Sequence, residues 1–183
     1  MKKIILTVFA ATSLLLYSTP SFAFSLSVGV PIGASIKGDD GSEVADGASG
    51  YFLGVQLPFG LGLGMDSHKT TIKDTDGKLK VATSMYNLFY QLPIPVINLI
   101  LGVGTGNQEY KCDNWGDGAS CSDALDKGSA TQWYTSIGFP ILPLFDIHLS
   151  YRSITAKNIA SKYDGEKYDN SGSVTGIGLA FNF

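Results

Sequence analysis

His148-Leu149-Ser150 sets an imidazole and a hydroxyl two residues apart. In an extended chain, residues i and i+2 share one face. An imidazole beside a serine can take the hydroxyl proton while the oxygen attacks a carbonyl, the chemistry of acyl transfer. Asp66, Asp146 and Arg152 are further ionisable residues set within alternating apolar stretches. Two carboxylates, a guanidinium and an imidazole on one buried face also suit a structural ion-pair network, because charges taken out of water must pair. A three-residue His-x-Ser spacing is common by chance. The network is therefore the expectation, and no catalytic residue is assigned.

The elements that must position these residues begin with the N-terminus. Met1-Lys2-Lys3 is basic, and Ile4 to Tyr17 is apolar apart from Thr and Ser. That run is shorter than the about 20 residues a spanning helix needs. Ser21-Phe22-Ala23 offers the small residues that a signal peptidase accepts, so residues 1–23 are expected to be a cleaved secretory signal. The remaining 183 − 23 = 160 residues form one domain, 24–183, with 11 basic against 16 acidic residues and a net charge of −5. This balance argues against nucleic acid as a partner.

Export also bears on Cys112 and Cys121, the only cysteines, in K-C-D-N-W-G-D-G-A-S-C. An oxidising compartment favours a disulfide between them. No His lies near enough to suggest a metal site. The Asp-rich pieces 38–43 and 74–77 lack the full calcium ligand series. No P-loop, zinc signature or dinucleotide fingerprint occurs, so neither cofactor nor metal is expected.

Five of the seven prolines fall in three uncharged places: Pro58-Phe59-Gly60, Pro93-Ile94-Pro95 and Pro140-Ile141-Leu142-Pro143. Proline presets turn geometry and cannot donate to a ladder, so these read as tight turns. Each piece between them alternates, passes through a charged stretch, then alternates again. The charged stretches, 34–48, 67–80, 107–128 and 155–170, are expected to be long loops. Four hairpins then give eight strands.

Along the strands one face is large and apolar, as in Thr175, Ile177, Leu179, Phe181 and Phe183. The other face is rich in glycine and poor in charge. A water-exposed surface normally carries many charges of both signs. The apolar face therefore suits lipid, and the small polar face suits the interior of a narrow closed barrel. Parity turns Gln56, Asp66, Asn87, Gln91, Asn98, Asp146, His148 and Arg152 inward. They are expected to form one paired network, with Arg152 as the counter-charge to both aspartates. Pro31 lies inside strand one, and a bulge there would shift the inward parity by one.

This plan, with Phe181 and a terminal Phe183, resembles the small eight-stranded outer-membrane β-barrel proteins of Gram-negative bacteria, described as OmpA-like, OmpX-like or OmpW-like. The resemblance implies an all-β, antiparallel, up-and-down transmembrane barrel in the cell outer membrane. It implies turns and both termini in the periplasm, loops outside, and a C-terminal aromatic signal, Phe181 and Phe183, read by the barrel-insertion machinery. Outer-membrane lipid and lipopolysaccharide are the implied surroundings, and the chain is expected to be a monomer. The role is expected to be structural or a surface interaction, with a narrow or lateral pathway for small hydrophobic molecules as the alternative. A further resemblance is to outer-membrane lipid A deacylases, where a His-x-Ser pair like His148 and Ser150 works with a Glu, here Glu166. In that family the pair faces lipid. Here parity turns both residues inward, and Tyr151 stands where that family has Asn. The chain is accordingly expected not to be an enzyme.

N-terminal sequencing of the protein from a membrane fraction should begin at Phe24. A sequence beginning at Met1 would contradict the signal assignment.

Overall fold

The computed structural model describes residues 24–37, 45–73, 79–92, 94, 97–112, 127–142, 144–156, 159–160 and 167–183. The signal segment lies outside them. Strands β1 (Ser25–Ile36), β2 (Ala45–Gln56), β3 (Leu61–Ile72), β4 (Leu79–Leu92), β5 (Asn98–Cys112), β6 (Gly128–Leu142) and β7 (Phe145–Thr155) run in chain order. A small hairpin, β8 (Ile159–Ala160) and β9 (Lys167–Tyr168), precedes β10 (Gly172–Asn182). Seven long strands and β10 close into one antiparallel barrel in which β10 pairs with both β7 and β1. Among the described residues there is no helix.

The Pro58 turn, Phe24 and Phe183 share one end of the barrel. At the Pro58 turn the Gly60 N–H donates to Leu57 O at 3.0 Å, and Gly60 takes φ 86°, a conformation that glycine adopts without strain. Phe183 N–H donates to Phe24 O at 2.8 Å, and the two rings lie 6.4 Å apart. At the opposite end Ile36, Ala45 and Val81 meet, each close to the strand end that borders a longer interval of the chain.

The outer surface of the turn-side half is an apolar belt. Leu26, Val28, Val30, Leu53, Val55, Leu63, Leu88, Leu101, Ile137 and Leu149 are all exposed. Pro31 does sit at a bulge: β1 pairs with β10 at Pro31↔Gly176 and then at Gly33↔Thr175, leaving Ile32 as the extra residue. Beyond it the inward parity shifts, and Ile36 is buried. The β1–β2 ladder ends nearby. It covers five pairs, Ser25↔Gln56 to Gly29↔Phe52, whereas β1–β10 continues to Ile36↔Gly172.

The charged stretches are not simply loops. Residues 67–72 lie in β3, 79–80 in β4 and 107–112 in β5. The reason is a reversal of polarity along each strand. On the turn side of β4, Tyr86, Leu88 and Tyr90 face out while Asn87 faces in. On the loop side Ser84 faces out, and Met85 and Val81 are fully buried inside. A wall that leaves the apolar belt meets water outside, so its apolar residues turn into the lumen. Charge there marks the solvent and not a break in the ladder.

The lumen also contains aromatic rings. Phe89 and Tyr134 are buried inside, and each lies beside a glycine of the neighbouring strand, Gly62↔Phe89 and Gly102↔Tyr134. The His148 ring lies likewise over Gly138. A Cβ on any of these glycines would collide with the ring across the ladder. Gly102→Ala should therefore destabilise the barrel by about 1–3 kcal/mol, as overpacking does. Gly33→Ala, whose Cβ would meet nothing closer than Thr175 Oγ1 at 3.4 Å, should stay within about 0.5 kcal/mol. Urea unfolding of the two variants in lipid vesicles checks the contrast; equal effects would contradict it.

Candidate functional site

The inward polar residues converge on the lumen in two separate clusters. In the first, Arg152 from β7 meets Asp66 from β3. The Arg152 Nε donates to Asp66 Oδ2 at 2.9 Å, with Asp66 1% and Arg152 6% exposed. Gln132 of β6 donates to the same Asp66 Oδ2 at 2.6 Å and to Asn87 Oδ1 of β4 at 2.5 Å. Arg152 Nη1 donates to Ser150 Oγ at 2.5 Å, and Ser150 donates to Gly176 O at 3.3 Å. The guanidinium carbon lies 3.6 Å from the Phe52 ring centre and 5.0 Å from that of Tyr134. Arginine suits this place because its planar cation can stack on rings while its edge donates to a carboxylate.

The second cluster lies toward the turns. Gln91 donates to Asn98 Oδ1 at 2.6 Å, and Asn98 donates to Asp146 Oδ2 at 2.5 Å. Asn182 donates to that same oxygen at 3.0 Å. His148 Nε2 stands 3.8 Å from Asp146 Oδ2, and His148 Nδ1 lies 3.2 Å from Ser136 Oγ. Gln56 is buried at the end of β2. The single network with Arg152 serving both aspartates is thus corrected. Arg152 pairs with Asp66, whereas Asp146 is held by two amides and approached by His148. The Phe89–Tyr134 edge-on pair, with Ile100 packed against it, adds an apolar patch to this part of the lumen.

Gln132, Ser136 and Asn182 were not named as network members, although parity was enough to turn them inward. The same parity turns Phe52, Phe89 and Tyr134 inward, Phe89 standing between Asn87 and Gln91 on the inner face of β4.

Above the arginine, an apolar layer of Phe52, Met85, Ala130, Ile154, Ala156 and Val174 crosses the lumen. Above that layer sit buried His68, Thr70, Thr83 and Gln108, then Ile36, Ala45 and Val81. Inside lie a cavity of about 60 Å³ beside Arg152, His148 and Ser136 and one of about 10 Å³ beside His68. Buried side chains pack the lumen around them, as expected of a barrel this narrow.

This arrangement does not assemble the acyl-transfer pair. His148 turns to Ser136, while Ser150 is engaged by Arg152 and Gly176, and all of these line the lumen. Glu166 lies outside the described residues. Cys112 is the last residue of β5, and Cys121 lies outside the described residues together with the proposed bridge. Among the described residues no group of three or more His, Cys, Asp or Glu could hold a metal.

The barrel is similar to three solved structures. Neisserial surface protein A is 13% identical over 87% of this chain and 97% of its own, with a TM-score of 0.66. The N-terminal β-barrel domain of Pseudomonas aeruginosa OprF is also 13% identical, over 87% and 97%, with a TM-score of 0.50. Outer membrane protein W of E. coli is 10% identical over 88% and 98%, with a TM-score of 0.50. This is the fold of the small outer-membrane β-barrels. At such identities the likeness carries the fold alone. No protein-family model matches the chain, and no curated protein matches it.

In this barrel the Asp66–Arg152 pair should dominate the interior energetics. Arg152→Leu leaves a buried carboxylate unpaired and should cost about 3–5 kcal/mol. Adding Asp66→Leu to it should recover most of that loss, because replacing both partners by apolar groups is often near neutral. A double-mutant cycle by urea unfolding measures the coupling. Additive losses would show that the pair does not interact.

Proposed function

We propose that this chain is an integral outer-membrane protein with a structural or surface-interaction role, made through its external loops and not through a pore or a reaction. One observation carries the reading. From Asp146 near the turns to Val81 near the loops, the lumen is occupied by packed side chains. The exposed apolar belt supports lipid as the solvent around the barrel.

Several features complete the proposal. Residues 1–23 act as a cleaved signal. The turns and both ends face the periplasm. A Cys112–Cys121 disulfide stiffens the third loop, and Phe181 and Phe183 serve as the insertion signal. Outer-membrane lipid and lipopolysaccharide surround a monomer.

A second reading is a lateral pathway for small hydrophobic molecules. It draws on the short β1–β2 ladder and on an apolar groove of about 320 Å³ on the outer wall at Val28, Val30, Ile147, Ile177 and Leu179. Gly29 and Gly178 line both this groove and the inner cavity beside Arg152, so only backbone separates the two at that point. Uptake of a fluorescent apolar probe into vesicles bearing the protein would favour this reading.

In planar bilayers the inserted protein should give no stable conductance, because aqueous channels appear at about 16–18 strands. A large, steady conductance would contradict the filled lumen.

A further inference from the structure

The chamber on the loop side of the apolar layer concentrates polar atoms that no protein group satisfies. Among the described residues these include His68 Nδ1 and Nε2, Gln108 Oε1 and Asn170 Nδ2. Their residues are 2%, 3% and 5% exposed. All three line the same cavity of about 10 Å³, with Thr70 and Thr83 beside them. Buried polar atoms in native proteins nearly always have partners, so four of them around one small space point to a ligand.

We propose that this chamber is a binding site for one water molecule, held by His68, Gln108 and Asn170. Size sets the first limit, since a single water needs about 10–15 Å³ of such space. Chemistry sets the second. Asn170 Nδ2 can only donate, and Tyr110 OH, which donates to Asn170 Oδ1 at 2.8 Å, occupies the other end of the amide. Gln108 Oε1 can only accept. A cation would meet the Asn170 donor, and an anion would meet the Gln108 oxygen. Water, both donor and acceptor, satisfies the two together with one ring nitrogen of His68.

The site joins parts of the chain that are otherwise distant. Asn170 belongs to the connection between β7 and β10, where its N–H donates to Ala156 O at 2.8 Å. His68 stands on β3, and Gln108 on β5. The water therefore fastens that connection across the mouth of the barrel. The layer of Met85, Ile154 and Val174 beneath separates it from the Arg152 cavity.

Solution NMR of the isotopically labelled, folded barrel tests this. Cross-peaks of opposite sign in NOE and ROE spectra, between water and the Asn170 side-chain amide, mark a long-lived bound water. The wild type should show them. His68→Phe keeps the ring that packs edge-on to Phe52 at 5.9 Å but removes both nitrogens, and should lose them. Gln108→Leu should do the same, which covers the case in which one variant fails to fold; heat-modifiable migration reports folding. Absence of the peaks in the wild type, or their full intensity in both folded variants, would overturn the proposal. So would a zinc adduct in native mass spectrometry that the wild type carries and His68→Phe lacks.

Discussion

Eight antiparallel strands closed on themselves leave a lumen about as wide as the side chains that fill it. That limit on volume governs the rest of the molecule. Every large inward residue needs room that the neighbouring strand must give up. Phe89 takes it over Gly62, Tyr134 over Gly102 and His148 over Gly138. These three glycines are thus complements to particular rings, and one of those rings, Tyr134, encloses Arg152 together with Phe52. Its pairing with Asp66 is strong for the same reason, since packed rings and amides keep water from both charges.

The second organising feature is the change of solvent along each strand. Near the turns the wall is apolar outside and polar inside. Near the loops it is polar outside, and apolar residues such as Val81 and Met85 are buried inside beside His68, Thr70, Thr83 and Gln108. Lys69 and Ser84 face out where Val81 and Met85 face in. Each half therefore mixes polar and apolar side chains inside. Where they meet, Met85 and Phe52 form a dry layer that divides the interior into two chambers. A continuous polar path through such an interior would need that layer to be displaced.

Most of the architecture was legible in the sequence. Period-two alternation, the three proline turns and the terminal aromatics fixed the strand number and the inward parity, and Pro31 marked the bulge. Two things were not legible. Charge was read as loop, although Lys69, Lys80 and Glu109 lie on strands; a strand standing in water carries charges as readily as a loop does. The grouping of the interior was also missed. Parity says that Asp146 and Arg152 face inward but not how far apart they sit along the barrel axis, and that spacing separates the two clusters. Phe52, Phe89 and Tyr134 share the inward parity of Gln56, Asn87 and Gln132, but which glycine gives Phe89 and Tyr134 their room depends on the register, which alternation alone does not supply.

Arg152 is the only arginine of the chain, so its side-chain Nε–H gives a single NMR signal that needs no sorting from others. Hydrogen exchange at that group tests the filled lumen most directly. A guanidinium packed between Phe52 and Tyr134 and donating to Asp66 should keep its Nε–H long after transfer to heavy water, on the timescale of the barrel's slowest backbone amides. Exchange as fast as that of free arginine would mean that water reaches the centre of the barrel and that the lumen is not closed by its own side chains.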